Sequence, residues 1–278
     1  MTGYQCPLCA TALNVQPLGK QYACQQGHHF DLAKAGYLNL LPVQHKHTLE
    51  PGDSKPMLLA RREFLEAGHY AQMATALTMM IINHSPKQQA LKFLDVGCGE
   101  GYYSRSVASG VADQIPLALH GIDIAKFAVA AAAKKQPDAH FVVASSNRLP
   151  YVNQYFDLLL RVFAPSNAHE VKRVLKPSGL LLMVTPGPRH LWQLKAFIYP
   201  EVSEHALEPA APDGFDCVAT ERIHYEINPN RTHRIALLQM TPFAWQANPD
   251  VQQAIAASEA LAIEVDFCIT LARRKTET

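Results

Sequence analysis

Hydrophobic and polar positions divide the chain into parts with different periods. From residue 91 onward, short apolar runs alternate with amphipathic stretches, as in strands and helices that follow one another. The predicted strands are residues 91–96, 117–124, 140–144, 156–163, 180–185, 234–241 and 264–271. Helices are predicted at 102–109, 125–135, 167–175 and 249–261, with an irregular segment at 187–233. This alternation predicts an α/β fold whose parallel sheet is covered on both faces.

The part before residue 86 follows a different pattern. It starts short-stranded and turn-rich, and continues with a polar stretch, residues 46–56, that reads as a linker. Between 57 and 84 apolar residues recur at helical spacing, and Gly68 is expected to divide them into two helices. We therefore predict a small module, a linker with helices and an α/β domain, at residues 1–45, 46–85 and 86–278.

Composition narrows the class of protein. The 278 residues are 48% hydrophobic and 18% charged, which suffices for a large core and excludes a disordered chain. A net charge of +1 excludes a strong overall positive field for nucleic acid, but it is compatible with local basic side chains that contact a nucleic-acid backbone. Candidates for such contacts are Lys46, Arg61, Arg62, Arg148, Arg189 and Lys195. Because the sequence shows neither a basic-then-apolar leader nor a long uncharged apolar run, we expect a cytoplasmic protein without membrane spans.

The segment Leu-Asp-Val-Gly-Cys-Gly-Glu-Gly at 94–101 carries the clearest candidate chemistry. Its glycines allow strained dihedrals and close approach of a ligand to the backbone, and the acid beside them suits a cationic ligand. It lacks the lysine of a P-loop, and its third glycine comes one residue early for a dinucleotide fingerprint. We interpret it as an S-adenosylmethionine loop; the alternative is a turn that only packs strand against helix. The residues concerned are Asp95, Gly97, Gly99 and Gly101.

Ligands of parallel sheets bind beyond the carboxyl ends of the strands. Asp123 ends the second predicted strand, where it either accepts hydrogen bonds from ribose hydroxyls or caps the next helix. Ser145 or Asn147, after the third strand, would face the adenine. Phe163-Ala164-Pro165 follows the fourth strand in place of the Asn/Asp-Pro-Pro-Tyr/Phe of many amino-group methyltransferases. This difference argues against an exocyclic amine as the methyl acceptor.

Three of the six cysteines lie within the first 24 residues. Cys6 and Cys9 form a Cys-x-x-Cys pair, and Cys24 is followed by His28, with His29 as an alternative ligand. Two close pairs of thiolate and imidazole ligands suit tetrahedral zinc, which would stabilise a segment with too little core of its own. We predict zinc at Cys6, Cys9, Cys24 and His28; the alternative is a set of reduced, unliganded cysteines.

Longer strings make the chain similar to the bacterial 23S rRNA (guanine-N1-)-methyltransferases. They include GYLNLLPVQHK at 36–46, ARREFL at 60–65, TPGPRHL at 185–191 and QMTPFAW at 239–245. The resemblance implies a seven-stranded Rossmann-like sheet whose last strand is antiparallel, S-adenosylmethionine as cofactor, and a zinc module that helps hold an RNA hairpin. It also implies a homodimer with a cleft for the hairpin.

The resemblance further implies that Tyr70, Gly99, Glu100 and His190 line the cofactor site. Tyr70 would otherwise be an ordinary core residue, and His190 a solvated loop residue. Guanine N1 carries a proton, so the implied methyl transfer calls for a nearby acceptor and a guanine splayed onto an aromatic face. Phe163 is the candidate for stacking and His190 for the acceptor. The alternatives are a small-molecule methyltransferase with a structural zinc module, and a non-catalytic RNA-binding protein.

Overall fold

The computed structural model describes residues 3–45, 52–87, 89–207, 211–258 and 260–276, so that Lys46 and residues 47–51 of the predicted linker lie outside it. Its strands are β1 (Asn14–Val15), β2 (Gln21–Ala23), β3 (His29–Asp31), β4 (Tyr37–Asn39), β5 (Leu91–Val96), β6 (Leu117–Asp123), β7 (His140–Val143), β8 (Phe156–Val162), β9 (Leu175–Pro186), β10 (Phe215–Ile227) and β11 (Ile263–Arg274). Its α-helices are α1 (Lys55–Glu66), α2 (Ala71–His84), α3 (Tyr102–Val111), α4 (Lys126–Lys135), α5 (Ala168–Val174), α6 (Trp192–Ala196), α7 (Arg231–Gln239) and α8 (Pro249–Ala257). Short 3-10 helices lie at Val43–His45 and Pro242–Trp245.

The large sheet has the strand order β10-β11-β9-β8-β5-β6-β7-β4. β5 to β9 are parallel, whereas β11 runs antiparallel to both of its neighbours. The predicted α/β fold is therefore confirmed, including the antiparallel last strand. The seven strands predicted for the α/β domain are present as β5 to β11, and β4 of the N-terminal segment adds an eighth strand by pairing in parallel with β7.

The strand predicted at residues 234–241 is wrong. Residues 234–241 lie mostly in helix α7, whose N-cap Asn230 accepts a hydrogen bond from the His233 amide. The strand lies earlier, at β10, inside the segment predicted to be irregular. β10 is an edge strand with largely exposed positions, so it carries few apolar residues in succession and gives a weak strand signal.

The two helices predicted around Gly68 are confirmed as α1 and α2. Ser54 caps α1 by accepting from the Met57 amide, and Pro56 occupies its first turn. Gly68 has φ +83°, a left-handed conformation that ends the first helix at little steric cost. Among the helices of the described ranges, none combines the length and the hydropathy required to cross a bilayer.

The N-terminal segment is packed onto the large sheet. β1, β2 and β3 form a small antiparallel sheet of their own. The Gln5 amide donates to the Pro150 carbonyl, and the Val152 amide to the Gly3 carbonyl, both at 2.9 Å. Tyr4 is buried at this junction. The predicted boundary at residue 45 thus separates parts that share hydrogen bonds and a core.

Candidate cofactor site and metal centre

The glycine loop lies at the carboxyl end of the central strand β5. Gly97, Gly99 and Gly101 all have left-handed φ values, of +75°, +54° and +74°. A Cβ on Gly97 would lie 2.4 Å from the Ala164 side chain, and one on Gly101 would lie 2.8 Å from Gln136 Nε2. A Cβ on Gly99 would meet nothing within 4 Å. Packing therefore explains two of the glycines, whereas the open face at Gly99 fits the close approach of a ligand.

Asp123 joins this loop to α4. Its Oδ2 accepts from the Gly99 amide at 2.9 Å, and its Oδ1 accepts from the Ala125 amide at 2.8 Å. The second contact precedes α4, whose N-cap is Ala125 and which has no side-chain cap. Each carboxylate oxygen keeps a further lone pair, so the same side chain can also accept from ribose hydroxyls.

Asp95 is the most deeply buried acid of the loop. Its Oδ2 accepts from the Ser104 hydroxyl at 2.6 Å. Burial, together with the neighbouring Asp123, raises the pKa of Asp95 to about 7. A cation bound beside this group would favour its ionised form, so the raised pKa fits a positively charged ligand.

Glu100 and Arg62 are bound to each other. Arg62 Nε and Nη2 each donate to one carboxylate oxygen of Glu100 at 2.5 Å, and Lys135 Nζ lies 3.5 Å away. The Glu100 side chain is only 8% exposed. The predicted cofactor contact of Glu100 and the predicted RNA contact of Arg62 thus involve groups that form a forked ion pair between α1 and the loop.

Aromatic side chains from distant segments meet beside the loop. Phe163 follows β8 with φ +52° and is 43% exposed. Its ring centre lies 5.6 Å from that of His190, which lies 5.0 Å from Phe267; Tyr70 lies 4.8 Å from Phe267. The structure therefore brings together the predicted residues Phe163, His190 and Tyr70. Phe267, on β11, was missed because its alternating strand pattern indicated only core packing.

Tyr70 and His190 are buried rather than solvated. The Tyr70 hydroxyl has no hydrogen-bond partner within the described residues, and burial raises its pKa. The His190 Nδ1 accepts from the Asp266 backbone amide at 3.2 Å. An orphaned buried hydroxyl in this position fits a ligand that supplies its partner.

Ser145 lies after β7, where its hydroxyl accepts from the Asn147 amide at 3.2 Å. It borders a cavity of about 30 Å³ that is also lined by Arg148 and by Cys6 and Pro7 of the N-terminal segment. The placement of adenine near Ser145 or Asn147 stays a prediction.

The basic candidates differ in their surroundings. Arg61 pairs with Asp53, Arg62 with Glu100, and Arg189 with Glu264. Lys195 is buried, with its Nζ 2.6 Å from His205 Nε2. Arg148 is exposed to solvent.

The four predicted metal ligands form one cluster, in which the ligand atoms of Cys6, Cys9, Cys24 and His28 all lie within 4.8 Å of one another. Cys9 Sγ is 3.6 Å from Cys24 Sγ, and His28 Nδ1 lies 3.5 Å from Cys6 Sγ and 3.4 Å from Cys24 Sγ. A zinc tetrahedron has edges of about 3.8 Å between sulfurs and about 3.6 Å between sulfur and nitrogen. These donors therefore fit zinc.

Hydrogen bonds around the cluster favour thiolates. The His28 amide donates to Cys24 Sγ at 3.4 Å. Burial raises the pKa of the Cys24 thiol, but the hydrogen bond from the His28 amide and its neighbouring hydrogen bonds outweigh burial and lower the pKa to about 6. The alternative ligand His29 is exposed on β3, with Nδ1 3.0 Å from the Gln21 side-chain oxygen.

Comparisons with known proteins agree with this arrangement. Residues 4–49 match the family described as "RlmA, N-terminal", and residues 87–242 match the "Methyltransferase domain" family. The "23S rRNA (guanine(748)-N(1))-methyltransferase" of Streptomyces fradiae is 32% identical over 88% of this chain and 87% of its own. The "Putative 23S rRNA (guanine-N(1)-)-methyltransferase" of Micromonospora griseorubida is 31% identical over 97% of this chain and 96% of its own.

Among solved structures, the YcgJ protein of a Bacillus is 14% identical, with a TM-score of 0.49 over 73% of this chain and 100% of its own. The matches to the two family models and to the full-length relatives carry the assignment. The chain belongs to the family of S-adenosylmethionine-dependent 23S rRNA (guanine-N1)-methyltransferases with an N-terminal zinc ribbon.

Proposed function

We propose that this protein transfers a methyl group from S-adenosylmethionine to N1 of a guanine in a hairpin loop of 23S rRNA. The observation that carries the proposal is the 31% identity to a relative named for this reaction, which spans 97% of the chain and so includes both the zinc ribbon and the methyltransferase domain. The structure supports it with an open glycine loop beside a half-exposed aromatic side chain.

We assign the cofactor to the carboxyl ends of the central strands. Gly99 and its neighbours Gly97, Glu100 and Gly101 form the loop, Asp123 accepts from the ribose, and Ser145 borders the adenine side. Tyr70 and His190 line the other end, whereas Asp95 lies behind the loop, beside Asp123 and Ser104. When bound, S-adenosylmethionine supplies an electrophilic methyl carbon that bonds to guanine N1 while the carbon–sulfur electron pair stays on sulfur and the N1 proton leaves to solvent.

The chain's contribution is alignment and exclusion of water. N1 lies on the pairing edge of guanine, so the base has to be unpaired and held by its face. Phe163 is the half-exposed aromatic side chain that follows β8, next to Gly97 through Ala164. We therefore assign the stacking contact with the target guanine to Phe163.

The zinc ribbon is assigned to RNA binding. It borders the loop after β7 that carries Arg148, so an RNA held by the ribbon would run past this exposed cation. A homodimer and a cytoplasmic location are further parts of the proposal. Light scattering tests the first: a dimer gives twice the chain mass of 30.7 kDa.

The decisive experiment compares ribosomal RNA from cells with and without this gene. We expect one N1-methylguanosine to disappear on deletion, and purified protein to restore it on the unmodified 23S rRNA with labelled cofactor. An unchanged nucleoside pattern would contradict the proposal. Transfer to a small-molecule panel but not to RNA would favour the small-molecule enzyme, and calorimetry without cofactor binding would favour a non-catalytic protein.

A further inference from the structure

One residue of β11 holds the turn between β9 and α6. The Asp266 carbonyl accepts from the Gly187 amide at 2.8 Å, and its Oδ2 accepts from the Arg189 amide at 2.9 Å. Its own amide donates to His190 Nδ1 at 3.2 Å. Asp266 is completely buried, so three turn residues are fixed by a single partner far away in sequence.

The close approach of Asp266 depends on a glycine. A Cβ added to Gly187 would lie 2.2 Å from Asp266 Oδ1 and 2.3 Å from its Cγ. Arg222 holds the same carboxylate with Nε and Nη2, each at 2.8 Å. Burial raises the pKa of Asp266, but the two hydrogen bonds and the charge of Arg222 lower it by more, so the carboxylate stays charged.

These contacts decide the state of His190. A neutral imidazole whose Nδ1 accepts a hydrogen bond carries its proton on Nε2. Burial is the largest of the effects that lower the pKa of His190 to about 3; the positive charges of Lys195 and His205 act in the same direction, and the smaller effect of Asp266 opposes them. Such an imidazole donates through Nε2 at neutral pH and does not take up a proton.

We propose that Asp266 is a positioning residue that holds His190 as an Nε2–H donor to an oxygen of the reacting pair. The proposal rests on the proposed function and deepens it. The acceptor oxygen belongs to the cofactor carboxylate or to O6 of guanine, which gains negative charge as N1 loses its proton. His190 keeps its proton throughout, and the N1 proton passes to solvent water, so His190 does not serve as the proton acceptor.

The test uses Asp266→Asn in the full-length zinc-loaded protein. Asparagine keeps the size of the side chain but loses the charge that pairs with Arg222. Glu264→Gln is the matched control, because Glu264 lies on the same strand and pairs with Arg189. Its carboxylate accepts hydrogen bonds from the side chains of Arg189 and Gln193 and not from backbone amides of the turn. Imidazole 15N spectra, assigned with His190→Gln, report the tautomer directly.

We expect wild type and Glu264→Gln to show His190 only as the Nε2–H tautomer. Asp266→Asn keeps the backbone amide but weakens the side-chain hold on the Arg189 amide and on Arg222, so the turn should shift and His190 should lose its fixed contact with that amide. We therefore expect mixed tautomers, a loss of about tenfold or more in kcat and a lower melting temperature, because a buried ion pair is broken. A pure Nε2–H tautomer with full activity in Asp266→Asn would overturn the proposal, as would an equal loss in Glu264→Gln.

Gly187→Ala provides a second route if Asp266→Asn folds poorly. It should mimic Asp266→Asn, and the double variant with Asp266→Ala should be no worse than Asp266→Ala alone, because the clash needs the carboxylate. Additive losses would contradict the proposal.

His190→Phe separates the two acceptors. Binary cofactor affinity, measured without RNA, falls with kcat/KM if the cofactor carboxylate accepts, and stays unchanged while kcat falls if guanine O6 accepts. If wild type methylates no RNA, the proposed function fails, but the tautomer spectra and the binary affinity still test the role of Asp266.

Discussion

Arg62 of α1 binds both carboxylate oxygens of Glu100, and this fork ties the helix before the domain to the glycine loop. Glu66, one turn further along α1, joins Arg105 of α3 and Lys135 of α4. Since Lys135 also reaches Glu100 at 3.5 Å, the four elements share one network of charges around the end of the loop. The position of α1 and the shape of the loop therefore depend on each other.

Arg62→Ala should weaken cofactor binding. It leaves the nearly buried Glu100 carboxylate without its fork, and charge-assisted hydrogen bonds of this kind contribute about 1.5–3 kcal/mol each when they are lost. Because the Arg62 side chain is 36% exposed, we expect only about a tenfold rise in the cofactor Kd, measured by calorimetry. Arg105→Ala is the control, since it removes a pair with the more exposed Glu66 of the same helix. An equal effect of both variants would assign the loss to general tethering of α1.

Removal of zinc should destabilise the large domain as well as the zinc ribbon. Tyr4 and β4 belong to the core and the sheet of the large domain, so melting of the ribbon exposes part of that core. We expect a strong chelator to lower the melting temperature by several degrees, at about 2–4 °C for each kcal/mol lost. His28→Ala should lose the metal and His29→Ala should keep it, as measured by elemental analysis. Retention of zinc by His28→Ala would contradict the ligand assignment.

Asp95 should make stability fall as the pH rises. Its pKa is about 7 in the folded chain against an ordinary value of 3.8, so the folded state binds the proton more tightly. The resulting stabilisation is complete below pH 4 and is lost as the pH rises to 7 and above, at about 1.4 kcal/mol for each unit of difference. Asp95→Asn removes this dependence, so its cost should be smaller at pH 8 than at pH 5 in urea unfolding. The exposed Asp113→Asn is the control, and an equal cost of Asp95→Asn at both pH values would contradict the expectation.

Local spacing explains which parts of the site were predictable. Asp95, the alternating glycines and the Cys-x-x-Cys pair act within a few residues, so their order in the sequence already contains their geometry. Asp266 on β11 contacts His190 in the turn after β9, although the two residues are 76 positions apart in sequence, and no local sequence pattern predicts such a contact. β10 could not be predicted for a related reason. As an edge strand it has mostly exposed positions, and it forms a strand because it pairs with β11, which lies far away in sequence.

Phe163→Ala should impair RNA turnover without affecting the cofactor. Base stacking on an aromatic side chain contributes about 1–3 kcal/mol, so kcat/KM for RNA should fall about ten- to hundredfold. Cofactor Kd should stay within twofold, and Phe163→Tyr should restore most of the activity. Phe127→Ala is matched in exposure, at 41%, but lies on α4, and it should behave as wild type. Equal losses in Phe127→Ala would indicate non-specific surface effects.

Arg148→Ala should reduce the salt dependence of RNA binding. Arg148 is exposed beside the ribbon, whereas Arg61, Arg62 and Arg189 are held by carboxylates. A side chain that contacts one phosphate adds about 0.7–0.9 to the slope of log affinity against log salt concentration. We expect Arg148→Ala to reduce the slope by about that amount in titrations at rising salt, with unchanged cofactor affinity. Lys87→Ala, an exposed cation before the amino end of β5, should leave the slope unchanged. An unchanged slope for Arg148→Ala would contradict a phosphate contact of Arg148 and would indicate that other residues of the ribbon or the linker make the phosphate contacts.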